Sequence, residues 1–496
     1  METFSGIVKP GASVYFVGIK GTGVCALAEL ACSMGLTVNG SDTTEVFYTD
    51  SILKELGIPF HETFEAAHIT GNIDLLVHSA AYSDENNEEL SEARKKSIPI
   101  ISFPEALGAH SAAFDSTGVA GVHGKTTTTA MAGCLVKGLG LPAQVLVGSA
   151  VTNFNGRSTL WQGNKYFIAE TCEYRKHFLF FHPQRIILTA VESDHQDFYP
   201  TYESIRDAFV EYCRLIPKGG ELIYCADDPG ASEVARIIDH ENRGIRLIPF
   251  GFSAEGEYRI SGYRVENEKA SFAIAGFPGE LSLRVPGRHQ ALNAAAALAC
   301  IAILVKKEFG NWNESLRDIV KKSLEDFSGS KRRSEIIGTA GGIIFMDDYG
   351  HHPTAIKTTL EGLRSFYPSR RLIVSFMSHT FTRTAALLDD FAESLAVADV
   401  LILHKIYASA RERFDGMING KSIYEKVEDI LNKKFPIDGQ VSRPLVLYID
   451  EVMDAVEPLK EILQAGDLFL TMGAGNNWPL GIALFNYYHD RDGDAQ

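Results

Sequence analysis

The sequence predicts an α/β protein built as three units, each a mostly parallel sheet covered by helices. Three observations carry this reading. Short β-branched runs alternate with helix-period segments along most of the chain. Glycine-rich turns follow predicted strands, as they do where open sheets bind phosphate. The 496 residues also exceed what one core organises, at roughly 150 residues per domain.

In the first unit, Val14 to Val17 reads as a buried strand, Val24 to Met34 as a helix, and Leu36 to Val38 and Leu75 to His78 as further strands. Pro99, Pro104, Gly108 and the small residues around Ser111 mark a boundary. The second unit starts at Thr117 to Ala120, passes through GVHGKTTTT, and has strands at Tyr166 to Ala169 and Arg185 to Thr189. Between Tyr258 and Val285 the period changes to two: Leu281, Leu283 and Val285 are apolar while Ser282 and Arg284 are not, which predicts an antiparallel insertion or sheet edge. A helix beginning near His289 and the polar turn FSGSKRRS at 327–334 close this unit. In the third, Ile343 to Met346 is a strand, and Pro353 suits the first turn of a helix with Ile356, Leu360, Leu363 and Phe366 on one face. Leu372 to Phe376, Val400 to Leu403, Leu445 to Ile449 and Leu468 to Met472 complete another doubly wound sheet.

With 47 Lys plus Arg against 63 Asp plus Glu, a net charge of -16 and 45% hydrophobic residues, the chain should fold and should not coat nucleic acid. Any anionic ligand must be met by a local cluster of cations. Seven dispersed cysteines without a CxxC pair fit neither a disulfide scaffold nor a cysteine zinc site, and favour a reducing cytoplasm. The start, METFSGIVKPGAS, does not read as a signal peptide. The longest apolar stretch, Ala291 to Val305, contains Asn293 and is too short for a bilayer, so a buried helix is expected in a soluble, cytoplasmic protein.

The strongest chemical signal is Gly121-Val122-His123-Gly124-Lys125-Thr126-Thr127, between a predicted strand and a predicted helix. Glycines let backbone amides approach phosphate, Lys125 can pair with terminal phosphates, and a threonine hydroxyl can bind magnesium. The glycine of the strict spacing is absent at Val119. Gly18, Gly21 and Gly23 follow the first strand, with Asp42 after the second; this is a weaker signal for a nucleotide, because a turn that merely needs small residues looks the same. Glu173 and the run Asp194-His195-Gln196-Asp197 lie beyond strands neighbouring the phosphate loop, where a carboxylate and an imidazole can hold a divalent cation. Alone, DHQD reads more readily as a helix cap or surface turn. Arg332, Arg333, Asp348-Tyr349-Gly350-His351-His352-Pro353 and Ser378-His379-Thr380-Phe381-Thr382-Arg383 fall at strand ends or on the interdomain turn. His351 and His352 are adjacent and point differently, with no third ligand spaced nearby, so structural zinc is not expected.

In this order, FVGIKGTGVCALAEL, NGSD, GVHGKTTTT, CEYRKHFL, DHQDFY, PGRHQALNA, FSGSKRR, DDYGHHPTAI, SHTFTRT, IYASARE and GAGNN resemble the Mur ligase family, ATP-dependent amide-forming enzymes of peptidoglycan precursor synthesis. SHTFTRT points to the type that joins L-alanine to UDP-N-acetylmuramate and away from the recycling peptide ligases, which stay the alternative along with a non-ligase nucleotide switch. The resemblance implies a three-domain architecture: a Rossmann-like UDP-sugar domain at 1–112, a central P-loop ATPase domain at 113–330, and a Rossmann-like amino-acid domain at 331–496. It implies ATP and Mg2+ as cofactors, a monomer or homodimer, and neither nucleic-acid nor membrane partners. It assigns the UDP-sugar to Gly18, Gly21, Thr22, Gly23, Asp42 and Ser79. ATP falls to Gly121, Val122, His123, Gly124, Lys125, Thr126, Thr127, His289, Asn293, Arg333 and Asp348, with His289 and Asn293 at the adenine. Thr126, Glu173 and His195 would hold metal; Lys125, Glu173 and His195 would be catalytic; and His352, His379 and Arg383 would meet the amino acid and carboxylate. His195 and His379 both stand as candidates for the base that deprotonates the amine. Val122, Ala190, Gln290 and Asn476 depart from the commoner family residues.

Overall fold

The computed structural model describes residues 8–9, 11–408, 418–435 and 443–494. Most of the segment read for a signal peptide (residues 1–7 and 10) and residues 409–412 of IYASARE lie outside the described residues. Three sheets organise the chain. The first has five parallel strands in the order Phe60–His61, Thr37–Ser41, Ser13–Val17, Leu75–His78 and Ile100–Ser102. The helix Thr22–Ser33 opens directly beyond the central strand, and its buried face from Val24 to Ala31 covers the sheet. One sequence expectation is corrected here: the second strand runs to Ser41 instead of stopping at Val38. Gly40 in that strand is kept bare by close packing, since a Cβ there would lie 2.3 Å from the Phe16 carbonyl oxygen.

The second sheet has ten strands, with a parallel core that includes Asp115–Ala120, Tyr166–Glu170, Arg185–Leu188, Glu221–Cys225 and Arg246–Gly251. The period-two region forms the antiparallel edge Tyr258–Glu266, Lys269–Ile274 and Phe277–Leu283. The apolar stretch from Ala291 is the buried middle of the helix Arg288–Phe309, whose alanines allow close packing against the helix Lys125–Leu139. At the amino ends of the central strands, opposite the phosphate loop, Arg185 is fully buried between neighbouring strands. Its guanidinium lies 2.7 Å from Asp115 and 3.4 Å from Glu221 and donates to Thr117 Oγ1 at 3.0 Å.

The third sheet orders Glu335–Ala340, Ile343–Asp348, Asp467–Met472, Arg371–Phe376, Val400–Leu403 and Leu445–Tyr448, antiparallel only at its first pair. Ile356, Leu360, Leu363 and Phe366 of the helix Pro353–Phe366 are all buried, as their spacing predicts. Among the described residues, no helix is long and apolar enough to cross a membrane.

Removing the arginine takes the buried cation from between Asp115 and Glu221, which keep only Lys307 at 2.6 Å and Arg246 at 3.1 Å at their outer sides. Arg185→Ala should therefore lower the stability of the central unit by about 3 kcal/mol, read as an earlier transition in urea unfolding. An unshifted transition would show that the ion cluster contributes nothing to this sheet.

Candidate active site

The carboxyl ends of the central and C-terminal sheets face a common cleft of about 980 Å³, lined among others by Lys125, Glu173, His195, Asp348, His379 and Arg383. The phosphate loop enters from the strand Asp115–Ala120 and turns into the helix Lys125–Leu139. Gly124 makes that turn at φ +82, and a Cβ on it would come within 2.8 Å of Asn293 Oδ1. Thr189 Oγ1 donates to the His123 carbonyl, and Val122 N–H donates to the Ala190 carbonyl at 2.9 Å, so the neighbouring strand end braces the loop. Thr127 is buried in the first helical turn.

Lys125 Nζ donates to the Gly121 carbonyl at 2.5 Å and to Glu173 at 2.9 and 3.1 Å. Burial opposes the charge on Lys125, but Glu173 and Glu170 overcome it and raise its pKa. Burial likewise opposes ionisation of Glu173, and Lys125 and His195 reverse that effect to leave its pKa lowered. Thr126 Oγ1 donates to Glu170 at 2.9 Å, and Gly148 N–H donates to the same carboxylate at 3.0 Å. His195, at φ +54, places Nε2 3.5 Å from Glu173; such a backbone is uncommon for a non-glycine residue and marks a constrained position. Thr126, Glu170 and Glu173 thus gather hard oxygen donors beside the loop lysine, a set suited to magnesium.

The C-terminal unit contributes Arg383, which donates to Asp194 at 2.7 Å and to the His379 carbonyl at 2.8 Å. Burial works against an ionised Asp194, yet the Arg383 guanidinium holds its carboxyl well below the usual range. Arg383 Nε is buried without a hydrogen-bond partner among the described residues. Asp348 accepts from Ser334 N–H and Gly350 N–H, both at 2.7 Å, while Arg333 lies over the Tyr349 ring. Asn293, expected at adenine, accepts from Thr128 at 3.2 Å and donates to Gln290 at 3.1 Å beneath the phosphate loop. His289, its partner in that expectation, has its pKa lowered to about 4 by burial, and its Nδ1 has no hydrogen-bond partner among the described residues. His352, expected at the amino acid, has Nδ1 3.5 Å from Glu192.

The N-terminal glycine turn lies apart from these groups, and of its unit only Ala81 borders the cleft. Gly18 N–H donates to the Ser41 carbonyl and Gly21 N–H to the Gly18 carbonyl, Thr22 and Gly23 start the following helix, and Ser79 N–H donates to the Val17 carbonyl. Asp42 accepts from the backbone N–H groups of Lys20 and Thr43 at 2.7 and 2.8 Å, so its carboxylate fastens the turn. Sequence reasoning missed Glu170, which lines the cleft, and Glu192, which contacts His123, His352 and Thr354 of its wall. Glu170 ends a recognisable strand, which was the available signal; Glu192 meets its partners only through tertiary folding.

A phosphate loop and a cluster of oxygen donors, faced across a cleft by an arginine and histidines of a third α/β unit, are the features of a nucleotide-dependent ligase of the Mur type. The chain belongs to the Mur ligase family. Family models match it over residues 13–115 (Mur ligase family, catalytic domain), 119–301 (Mur ligase middle domain) and 332–475 (Mur ligase, glutamate ligase domain). It is similar to the UDP-N-acetylmuramate--L-alanine ligase of Treponema pallidum (strain Nichols), 50% identical over 480 residues and 97% of each chain. The enzyme of that name from Borreliella burgdorferi is 39% identical over 471 residues, covering 94% of this chain and 97% of that one. The fold matches the crystal structure of UDP-N-acetylmuramate-alanine ligase from Thermotoga maritima with a TM-score of 0.75 at 24% identity, over 97% of this chain and 99% of that one.

The Asp194–Arg383 pair joins the central and C-terminal units with both side chains buried. Because the folded pKa of Asp194 is depressed, its contribution is complete above the unfolded value of about 3.9 and is lost only as pH falls through the folded value. Solution scattering of the unaltered protein should keep this pair's share of compactness down to about pH 4. Asp194→Asn strands the arginine charge, costs about 3 kcal/mol, and should enlarge the radius of gyration at neutral pH; an unchanged radius would remove the pair as a clamp.

Proposed function

We propose that the chain joins L-alanine to the lactyl carboxylate of UDP-N-acetylmuramate, using ATP and releasing ADP and phosphate. The contact of Lys125 with Glu173 at the mouth of a phosphate loop, inside a cleft shared with Arg383, carries this reading. The names of the 50% and 39% identical relatives support the choice of alanine and sugar nucleotide. Residues 1–112 are assigned to the sugar nucleotide, 113–330 to ATP and 331–496 to the amino acid.

A carboxylate is a poor electrophile, and direct attack by an amine would have to expel oxide. Transfer of the ATP γ-phosphoryl group to the carboxylate gives an acyl phosphate whose leaving group is phosphate. Lys125, held charged by its acidic neighbours, would neutralise phosphate oxygens as the bond to ADP breaks. Thr126, Glu173 and His195 would hold magnesium, with Glu170 beside them; when bound, the ion supplies charge neutralisation between phosphate and carboxylate. Arg383 Nε offers an unused donor to a substrate carboxylate. The amine then attacks the acyl carbon, its proton passing to His195 or His379 on the cleft wall, and phosphate departs from the tetrahedral intermediate.

Lys125→Ala should reduce amine-dependent phosphate release by at least ~10²-fold. Titration calorimetry should find UDP-N-acetylmuramate binding little changed in that variant. Retained turnover would overturn the role of the loop lysine. Mass spectrometry of product from ATP, UDP-N-acetylmuramate and an equimolar amino-acid mixture should show the alanine adduct, and a dominant glycine or serine adduct would overturn the choice of amine.

A further inference from the structure

Among the described residues, one trio of possible metal ligands draws together: His123, Glu192 and His352, whose ligand atoms lie within 4.8 Å of one another. His123 Nε2 and Glu192 Oε1 are in direct contact, and His352 Nδ1 lies 3.5 Å from the same oxygen. The second carboxylate oxygen accepts from Thr354 Oγ1 at 3.1 Å, which fixes the orientation of the acid. His352 is only 6% exposed, and neither of its ring nitrogens has a hydrogen-bond partner among the described residues. A buried imidazole with two unsatisfied nitrogens is costly unless something takes a lone pair. Adjacent His351 does not supply it, because its Nδ1 is directed to the Tyr349 carbonyl.

We propose that His123, Glu192 and His352 form a binding site for a borderline divalent cation of the zinc class, separate from the oxygen-rich set at Thr126, Glu170 and Glu173. Two imidazoles and a carboxylate suit zinc or cobalt(II), with water in the fourth position, whereas magnesium prefers oxygen throughout. Bonds of about 2.0 Å set tetrahedral ligand separations near 3.3 Å, which small side-chain rotations would reach from the present spread. The sequence expectation against zinc rested on spacing along the chain, whereas the ligands that join His352 here come from elsewhere in the fold. His123 belongs to the phosphate loop, Glu192 follows the strand Arg185–Leu188, and His352 precedes the helix Pro353–Phe366 of the C-terminal unit. A cation held by all three therefore ties the two units together across the nucleotide cleft. This site stands independently of the ligase reading, and its test reads the metal alone.

Cobalt(II) added to the full chain in excess magnesium should give the intense visible bands of a four-coordinate ion, displaced by one equivalent of zinc. Cys172→Ser, which removes the exposed thiol, should keep those bands. Glu192→Gln and His352→Gln should each weaken cobalt affinity at least ~10-fold, with circular dichroism verifying that each variant is folded. X-ray absorption of the zinc-loaded unaltered protein gives a measurement that needs no variant, and should show imidazole and oxygen ligands without sulfur. No four-coordinate spectrum in the unaltered chain, a sulfur ligand, or full affinity in both folded variants would overturn the site.

Discussion

The cleft depends on a balance of buried charge around Lys125. Its ammonium and the Glu173 carboxylate are both largely withdrawn from water, with side-chain exposures of 13% and 3%, and neither would remain ionised there alone. Each is kept charged by the other, with Glu170 and His195 as flanking partners. This arrangement reconciles a strongly acidic chain with anionic substrates. Attraction is concentrated in a few cations set in a low-dielectric recess, where a fixed charge acts more strongly than the same charge on the surface.

The same economy of charge governs how the units meet. Asp194 and Glu192 rise from one segment of the central unit, and each finds its partner in the C-terminal unit: Arg383 for the first, Thr354 and His352 for the second. These contacts lie beside the phosphate loop, so the position of the C-terminal unit and the electrostatics of the loop are set by adjacent residues. A change in either carboxylate is felt both as a loss of docking and as a changed potential at the nucleotide.

What the sequence made legible was what local chemistry demands. A phosphate loop needs glycines and a lysine at the junction of strand and helix, and Gly121, Gly124 and Lys125 occupy that junction. Period two marked the antiparallel edge, and the spacing of Ile356, Leu360, Leu363 and Phe366 marked a buried helix face. Strands such as Ala143–Val151 and Glu221–Cys225 went unread, the first because Gly148 and Ser149 interrupt its apolar run, the second because it is short and starts on a buried acid. The partners across the cleft were not legible at all. Arg383 and Asp194 stand 189 residues apart, and nothing local in either segment names the other. The intramolecular roles of Asp42 and Asn293 were not legible either: Asp42 accepts from the backbone of the glycine turn, and Asn293, on the cleft wall, is bonded to Thr128 and Gln290.

The pairing of Lys125 with Glu173 also couples the ligands to one another. An ammonium has three N–H donors, and here they are directed to Gly121 and to the two oxygens of Glu173. A phosphate oxygen approaching Lys125 must take over one of these bonds, which leaves a buried carboxylate short of positive charge. That deficit is met if a divalent cation reaches Glu173 and His195 as the phosphate arrives, and is severe if it does not. Nucleotide and cation should therefore each raise the affinity for the other by the same factor, because both act on one shared carboxylate. The carboxylate that keeps the lysine charged thus becomes the means by which the site requires phosphate and metal together.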